Sequence, residues 1–304
     1  MERYYSYSRF LKEYFGDKIY KICLDGGFTC PNRDGTLSME GCIFCSQGGS
    51  GDFAESSALS ITDQILLGRK QTSEKYQGHR YLAYFQAFTN TYAPLPRLRQ
   101  LYEEAIRQES ICGIIVGTRP DCIPEPVLQY MEDLQEKEGK PVFLELGLQT
   151  CHDSTARFLN RGYKTEVFAD AVTRCHEHGL RVTAHTIAGL PGETREMQFQ
   201  TVEYLNKLPV SGIKISMLNL LKNTLLESWY REHPFPILTM EEYVDLVIGY
   251  LERLRPDIVI ERITGDGSRT LLIEPKWILH KHLVLNTIRK EMKQRNTRQG
   301  IKYV

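Results

Sequence analysis
Residues 30–45 read Cys30-Pro-Asn-Arg-Asp-Gly-Thr-Leu-Ser-Met-Glu-Gly-Cys42-Ile-Phe-Cys45, followed by Ser-Gln-Gly-Gly. Two cysteines stand three apart, and a third stands twelve residues upstream. An apolar run, Ile19-Tyr-Lys-Ile-Cys-Leu24, precedes them and reads as a strand. Gly, Ser, Asn and Asp crowd positions 29 to 51, so the cysteines sit on a loop. Accessible thiolates on a loop can share a soft metal. A structural zinc site needs a fourth ligand. The only nearby thiol, Cys23, lies inside the strand pattern. A four-iron cluster can be held by three thiolates, leaving one iron open. Three unrelated thiols are the plain alternative, and from spacing alone all three readings stand.

Outward from this loop the pattern alternates. Thr62 is expected to cap a helix running to about Tyr76. Strands are expected over 81–88, 112–117, 141–148, 181–190 and 213–221, and a last one over 257–263. Helices are expected over 95–108, 125–137, 153–160, 165–178 and 193–207. Gly179 closes the fourth of these. Thr239 and Glu242 form a capping box for a helix reaching Leu254. Strands separated by helices of this length imply βαβ units and parallel pairing. Six strands precede residue 222. The expected fold is α/β, a partial or nearly closed parallel (β/α)6 barrel with a C-terminal α/β extension. The expected division is an N-terminal aromatic and basic helix (1–18), a barrel core (19–222) and an extension (223–304).

In such a sheet, chemistry gathers at the C-terminal strand ends. Those ends are polar: Gln86, Thr89 and Asn90; Arg119 and Asp121; Glu145 and Gln149; His185 and Glu193; Lys214, Ser216 and Asn219. Glu145 and Gln149 are four apart, so an extended run points them to one side.

Composition narrows the rest. The 304 residues carry 38 basic and 38 acidic side chains, so the molecule as a whole does not attract polyanions. Eight cysteines in this length are not a disulfide scaffold. No run is long and apolar enough for a membrane, and no signal-peptide pattern opens the sequence, so a reducing, cytoplasmic location is expected. Residues 1–18 interleave aromatics with Arg and Lys. They suit either stacking on nucleic acid or, preferably, an amphipathic helix burying Phe10, Tyr14 and Phe15. From Lys276 to Lys302 there are eight Lys/Arg and one acid, Glu291. Leu279, Leu283, Ile288 and Met292 fall near helical spacing, so the segment reads as a helix with a basic outer face. Lys290, Lys293, Arg295 and Arg298 are its expected RNA contacts.

Taken together these residues resemble the radical S-adenosylmethionine (SAM) superfamily. The resemblance is closer to the YtqA/YhcC group, related to the radical SAM domain of the elongator catalytic subunit and to HemN. It covers nearly the whole chain. Its marks are Cys30/Cys42/Cys45 with Gly48-Gly49 and Asp52-Phe53, Gly117-Thr-Arg-Pro-Asp121, Glu145-Leu-Gly-Leu-Gln149, Gly189-Leu-Pro-Gly-Glu193 and Thr264-Gly-Asp266. The commonest spacing in the superfamily is CxxxCxxC. The eleven-residue first gap here also occurs in the elongator-like branch. The resemblance implies a [4Fe–4S] cluster on Cys30, Cys42 and Cys45, whose open iron takes the amino and carboxylate groups of SAM. It implies a 5′-deoxyadenosyl radical and an external electron donor. It implies SAM contacts at Gln86, Thr89 and Asn90, where the usual acidic residue is lacking, and at Glu145, Gln149 and Arg161, with Gly189 and Pro191 along the adenine. Phe44 would shield the cluster. The implied substrate is tRNA, and the implied reaction converts a wobble 5-carboxymethylaminomethyl uridine to 5-aminomethyl uridine. Two competitors remain: a radical SAM enzyme of a small metabolite or peptide, and a non-catalytic zinc-bound RNA-binding protein. Cys151, just beyond strand four, is a candidate catalytic thiol, and Cys23 and Cys112 suit buried apolar positions.

Overall fold
The computed structural model describes residues 2–49, 54–73, 79–265, 267 and 269–304. Asp52-Phe53, Asp266 and the expected helix end at Tyr76 lie outside the described residues. Seven strands form one parallel sheet: β1 (Tyr20–Leu24), β2 (Tyr81–Phe85), β3 (Ile111–Thr118), β4 (Val142–Gln149), β5 (Arg181–Ala188), β6 (Gly212–Met217) and β8 (Val259–Arg262). They lie side by side in chain order, and the edge strands β1 and β8 do not pair with each other. The sheet is therefore a curled half-barrel with a seam. The seventh strand corrects the expected six, since β8 lies beyond residue 222 yet pairs with β6.

The inner strands are covered on both faces, so apolar residues run nearly unbroken along them. All five residues of β2 are buried. Tyr81, Ala83 and Phe85 face the outer helices, where Leu98, Leu101 and Tyr102 of α3 (Leu95–Ile106) meet them. Leu82 and Tyr84 face the bore. The remaining outer helices are α2 (Ile61–Ser73), α4 (Glu125–Glu138), α5 (Asp153–Phe158), α6 (Thr165–Glu177) and α7 (Arg195–Asn206). Helix α2 starts differently from expectation. Ser60, not Thr62, accepts from the Asp63 amide at 3.0 Å, because Thr62 already lies in the helix. Gly179 closes α6 with φ +65°.

The N-terminal helix α1 (Tyr7–Phe15) plugs the bottom of the bore. Phe10 and Leu11 are buried against Leu82, Ile115, Phe143 and Val259. Burying Phe10 contributes about 1.5–3 kcal/mol. Tyr14, expected inside, is half-exposed, because its turn of the helix looks outward. Ser6 bridges Ile260 on the outer edge of β8. Beyond β6 come β7 (Leu220–Leu221), α8 (Leu225–Glu232), α9 (Met240–Arg253), β9 (Leu272–Glu274) and α10 (Lys281–Gln294). The capping box of α9 is the one expected at Thr239 and Glu242. Helix α10 buries Val284, Ile288 and Met292 and packs on α9. No helix among the described residues is long and apolar enough to cross a membrane.

Candidate active site
The loop after β1 is held by polar groups rather than by regular structure. Asn32, almost wholly buried, donates to the Asn160 carbonyl at 2.6 Å and to the Cys42 sulfur at 3.6 Å. Asn160, at φ 52°, donates back to the Gly41 carbonyl at 2.8 Å. The Arg33 guanidinium clamps the carbonyls of Cys45 and Ser46. Ile43 joins α5 and α8 through Leu159 and Leu226. Cys30, Cys42 and Cys45 thereby share one wall of a cavity of about 330 Å³ at the C-terminal ends of β2 to β6. Burial, with the neighbouring Cys45 and Cys30, pushes the Cys42 thiol up to about 12. Among the described residues, no three His, Cys, Asp or Glu side chains close round a single ion.

Glycines keep the floor of the cavity low. A Cβ on Gly147 would stand 2.6 Å from Gln149 Nε2, and one on Gly117 would stand 3.3 Å from the Phe85 carbonyl. Gln149 adopts φ 59° and breaks the β4–β5 register. A non-glycine residue in this region costs about 1–3 kcal/mol and marks a constrained site. Gln86, Phe88, Arg119 and Tyr163 complete the wall with Gln149. Arg119 gives Nε and Nη2 to Asp121 at 2.9 and 2.7 Å and lies over the Tyr163 ring.

Several expected contacts sit elsewhere. Arg161 spends all its N–H groups inside the chain, on the carbonyls of Tyr163, Leu148 and Thr150 and on Asp153 and Thr165. It has no donor left for a ligand carboxylate, whereas Arg119 faces the cavity. Asn90 ties β2 to β3 through the carbonyls of Phe85 and Gly117 and does not reach the wall. Thr89 lines the cavity but is almost fully buried. Gly189 packs under Met217 and Leu238, with Pro191 on the same turn. Thr186, Ile187 and Leu218 form the wall there instead. Cys151 lies outside the cavity, and burial raises its thiol. Cys112 is buried as expected, and Cys23 is half-buried.

Glu145 is not a free contact either. Its carboxylate, buried on the inner face of β4, accepts from Tyr84 at 2.6 Å and His185 at 2.8 Å. It also binds Lys214, and Lys21 at 3.4 Å; Lys21 in turn meets Glu261 at 3.1 Å. Burial alone would raise the Glu145 carboxyl, but Lys214, Lys21 and His185 overcome it and hold it well below the usual range. Burial pushes Lys214 down to about 8 against the pull of Glu145. Burial also lowers His185, against the pull of Glu145. Sequence reading missed Lys21, Tyr84 and this network. The signal was a lysine inside each of two apolar strands.

A second cleft, of about 770 Å³, opens through the seam between β1 and β8. It shares Phe44, Cys45, Tyr84, Gln86 and Arg262 with the first cavity. Outward it reaches Lys281, Leu285 and Arg289 of α10. A third groove, of about 650 Å³, shares Tyr4 and Arg289 with it and adds Arg3, Lys293 and Arg298, beside Glu2. The passage thus runs from the thiols to a basic face. Lys293 and Arg298 are on that face. Lys290 is exposed on another side, and Arg289 takes its place. Arg295 is bound to Asp245 and Glu291, so its charge is already met.

Relatives fall into one family. The description of the radical SAM superfamily matches residues 30–205, and that of the radical SAM C-terminal domain matches residues 210–294. YtqA of Bacillus subtilis is 42% identical over 299 residues, covering 98% of this chain and 92% of its own. YhcC of Escherichia coli is 36% identical over 263 residues, covering 86% and 84%. A tRNA uridine(34) acetyltransferase of Dehalococcoides mccartyi is 27% identical over 165 residues, 52% of this chain and 34% of that protein. The structure of Methanocaldococcus infernus Elp3 with an N-terminal deletion superposes with a TM-score of 0.70 at 15% identity, over 92% of this chain and 64% of that one. A family match over more than half of the sequence, with a relative aligned along nearly all of it, makes this chain a member of the radical SAM superfamily, whose cofactors are a [4Fe–4S] cluster and SAM.

Proposed function
We propose that this chain is a tRNA-modifying radical SAM enzyme that converts wobble 5-carboxymethylaminomethyl uridine to 5-aminomethyl uridine. Cys30, Cys42 and Cys45 hold the cluster. Three thiols on one cavity wall suit a four-iron cluster, which three thiolates can hold with one iron left open, whereas a structural zinc needs a fourth ligand. Asn32 steadies the Cys42 sulfur from behind. The glycine floor at Gly117 and Gly147 receives SAM, with Gln86, Gln149 and Arg119 as its polar contacts. When bound, cluster and SAM supply a 5′-deoxyadenosyl radical, and the protein orients the substrate CH2 toward it and keeps water out.

The observation that carries the RNA assignment is the continuous passage from the thiols through the seam to Arg3, Arg289, Lys293 and Arg298. In a chain of zero net charge, cations gathered along one route fit a phosphate backbone. The partial likeness to a tRNA uridine(34) acetyltransferase points the same way. A tRNA substrate also places the enzyme in the cytoplasm, with an external electron donor. The test is reconstitution without oxygen, reduction, and addition of SAM with tRNA from a deletion strain. 5′-Deoxyadenosine stimulated by that tRNA and lost in Cys42→Ala is the expected result. Production indifferent to tRNA would redirect the search to a small metabolite or peptide. Bound zinc with no SAM cleavage would overturn the reading.

A further inference from the structure
The bore beneath the cavity carries an imbalance of charge. Among the described residues Glu145 and Glu261 face Lys21, Lys214 and Arg262, two carboxylates against three cations. Arg262 lines both the inner cavity and the seam cleft. It gives Nη2 to Ser216 at 2.7 Å, its Nε is buried with no partner, and no carboxylate pairs with it among the described residues. Asn219 lines the same two spaces, and its Oδ1 is likewise buried without a partner. A buried donor and a buried acceptor left open in one wall are costly unless a ligand fills them. An excess positive charge on the wall of a partly enclosed cleft favours an anion.

We infer that Arg262, with Lys214 behind it and Asn219 beside it, forms a subsite for the carboxylate of an N-alkylglycine group on the substrate. The carboxylate takes the Arg262 Nε–H and neutralises the cluster. The amine N–H of the same group donates to Asn219 Oδ1. The assignment rests on the proposed substrate, because a carboxymethylaminomethyl side chain is an N-alkylglycine. It also gives the seam a purpose beyond access: it admits the base carboxylate first, to the wall that the two spaces share.

Two arms test the subsite, both on the reconstituted holoenzyme. In the first, N-methylglycine is titrated while 13C-labelled lysine NMR follows Lys214, assigned through Lys214→Met. An anion settling on Arg262 raises the titration of the neighbouring ammonium. A saturable upward shift, absent in Arg262→Met and partly restored in Arg262→Lys, is expected whether or not RNA is the carrier. No response in the wild type overturns the subsite. In the second, anticodon stem–loops carrying the acid or its carboxamide are compared by equilibrium binding. The wild type should favour the acid by about tenfold or more, and Arg262→Met should bind both equally. Equal wild-type affinity, with the N-methylglycine response intact, keeps the carboxylate site and removes RNA as its carrier. SAM affinity is measured in parallel. A tenfold loss of SAM in Arg262→Met with unchanged RNA discrimination would assign Arg262 to the cofactor and overturn the inference.

Discussion

Substituting Glu145 by Gln removes one charge from the centre of the bore and leaves the shape nearly unchanged. In the wild type the carboxylate meets Lys214, Lys21, Tyr84 and His185 at once. Lys214 is 6% exposed and keeps no other acid as close. Taking one partner from such a buried pair costs about 3–5 kcal/mol, because the remaining charge stays out of water. An unfolding entropy of about 2.1 cal/mol/K per residue over 304 residues gives about 0.6 kcal/mol per degree. The expected fall in Tm is therefore about 5–8 °C. The assay is scanning calorimetry at one fixed scan rate on wild type, Glu145→Gln, Lys214→Met and the double variant, all prepared without oxygen. The double variant should recover at least half of the loss, since Met fills the lysine's place without its charge. A Glu145→Gln Tm within about 2 °C of wild type, or a double variant whose losses simply add, would refute the claim that these groups act as one network.

Other consequences are as open to measurement. Lys214 is depressed to about 8 in the folded chain from an ordinary 10.5. Between those values the unfolded chain binds the extra proton, so this group's share of stability grows as pH rises from about 8 to 10.5 and is missing below 8. Denaturant titration should show that rise, about 3 kcal/mol in size, as the difference between wild type and Lys214→Met. Asn32→Leu removes a hydrogen bond to the Cys42 sulfur, and redox titration should find the cluster potential lower by about 40 mV, the one-electron equivalent of about 1 kcal/mol. Gly147→Ala drives a methyl group to within 2.6 Å of Gln149 Nε2 and 3.0 Å of the Tyr163 hydroxyl, so SAM affinity should fall about tenfold by equilibrium dialysis while iron content holds. Reversing Arg289, Lys293 and Arg298 to Glu should flatten the salt dependence of tRNA binding by about three units of slope. Reversing Arg295, already bound to Asp245 and Glu291, should lower Tm and leave that slope alone.

The alternation of strand and helix was legible because parallel strands buried on both faces are apolar along their whole length, as β2 and β3 are. The seventh strand was harder to place. Val259–Arg262 is four residues long, stands after a helix, and runs into a polar loop, so it reads as the edge of an extension until its pairing with β6 is seen. The cysteine loop was legible by spacing. The clamp on it was not, since Asn32 and Asn160 meet across 128 positions. Glu145 was read as a contact because it is polar at a strand end. Its partners Lys21 and Lys214 lie 124 and 69 positions away, and only strand register brings them together. Arg161 was expected at SAM, and that its guanidinium is already spent depends on backbone carbonyls invisible in sequence. Arg289 and Lys290 are adjacent in sequence, but the phase of α10 sends one into the passage and the other away from it.

The open edge of the sheet is where these features converge. A closed barrel would pair β1 with β8 and seal the bore from the side. Here β1 has five residues and β8 four, and among the described residues a single bridge at Ser6 lies along the outer edge of β8. Unpaired strand edges invite aggregation unless covered. The N-terminal helix covers the lower part of this one with Phe10 and Leu11, and α10 flanks the upper part with a basic stripe at Lys281, Arg289 and Lys293. The edge is thus protected from other strands while the cleft between β1 and β8 stays open. Deepening the plug and closing the seam would be one change: extending β8 and β1 to pair would bury Arg262 and Lys21 without an outlet. The charged bore, the short edge strands and the basic helix therefore meet at one lateral opening, and the proposed anionic substrate would use it.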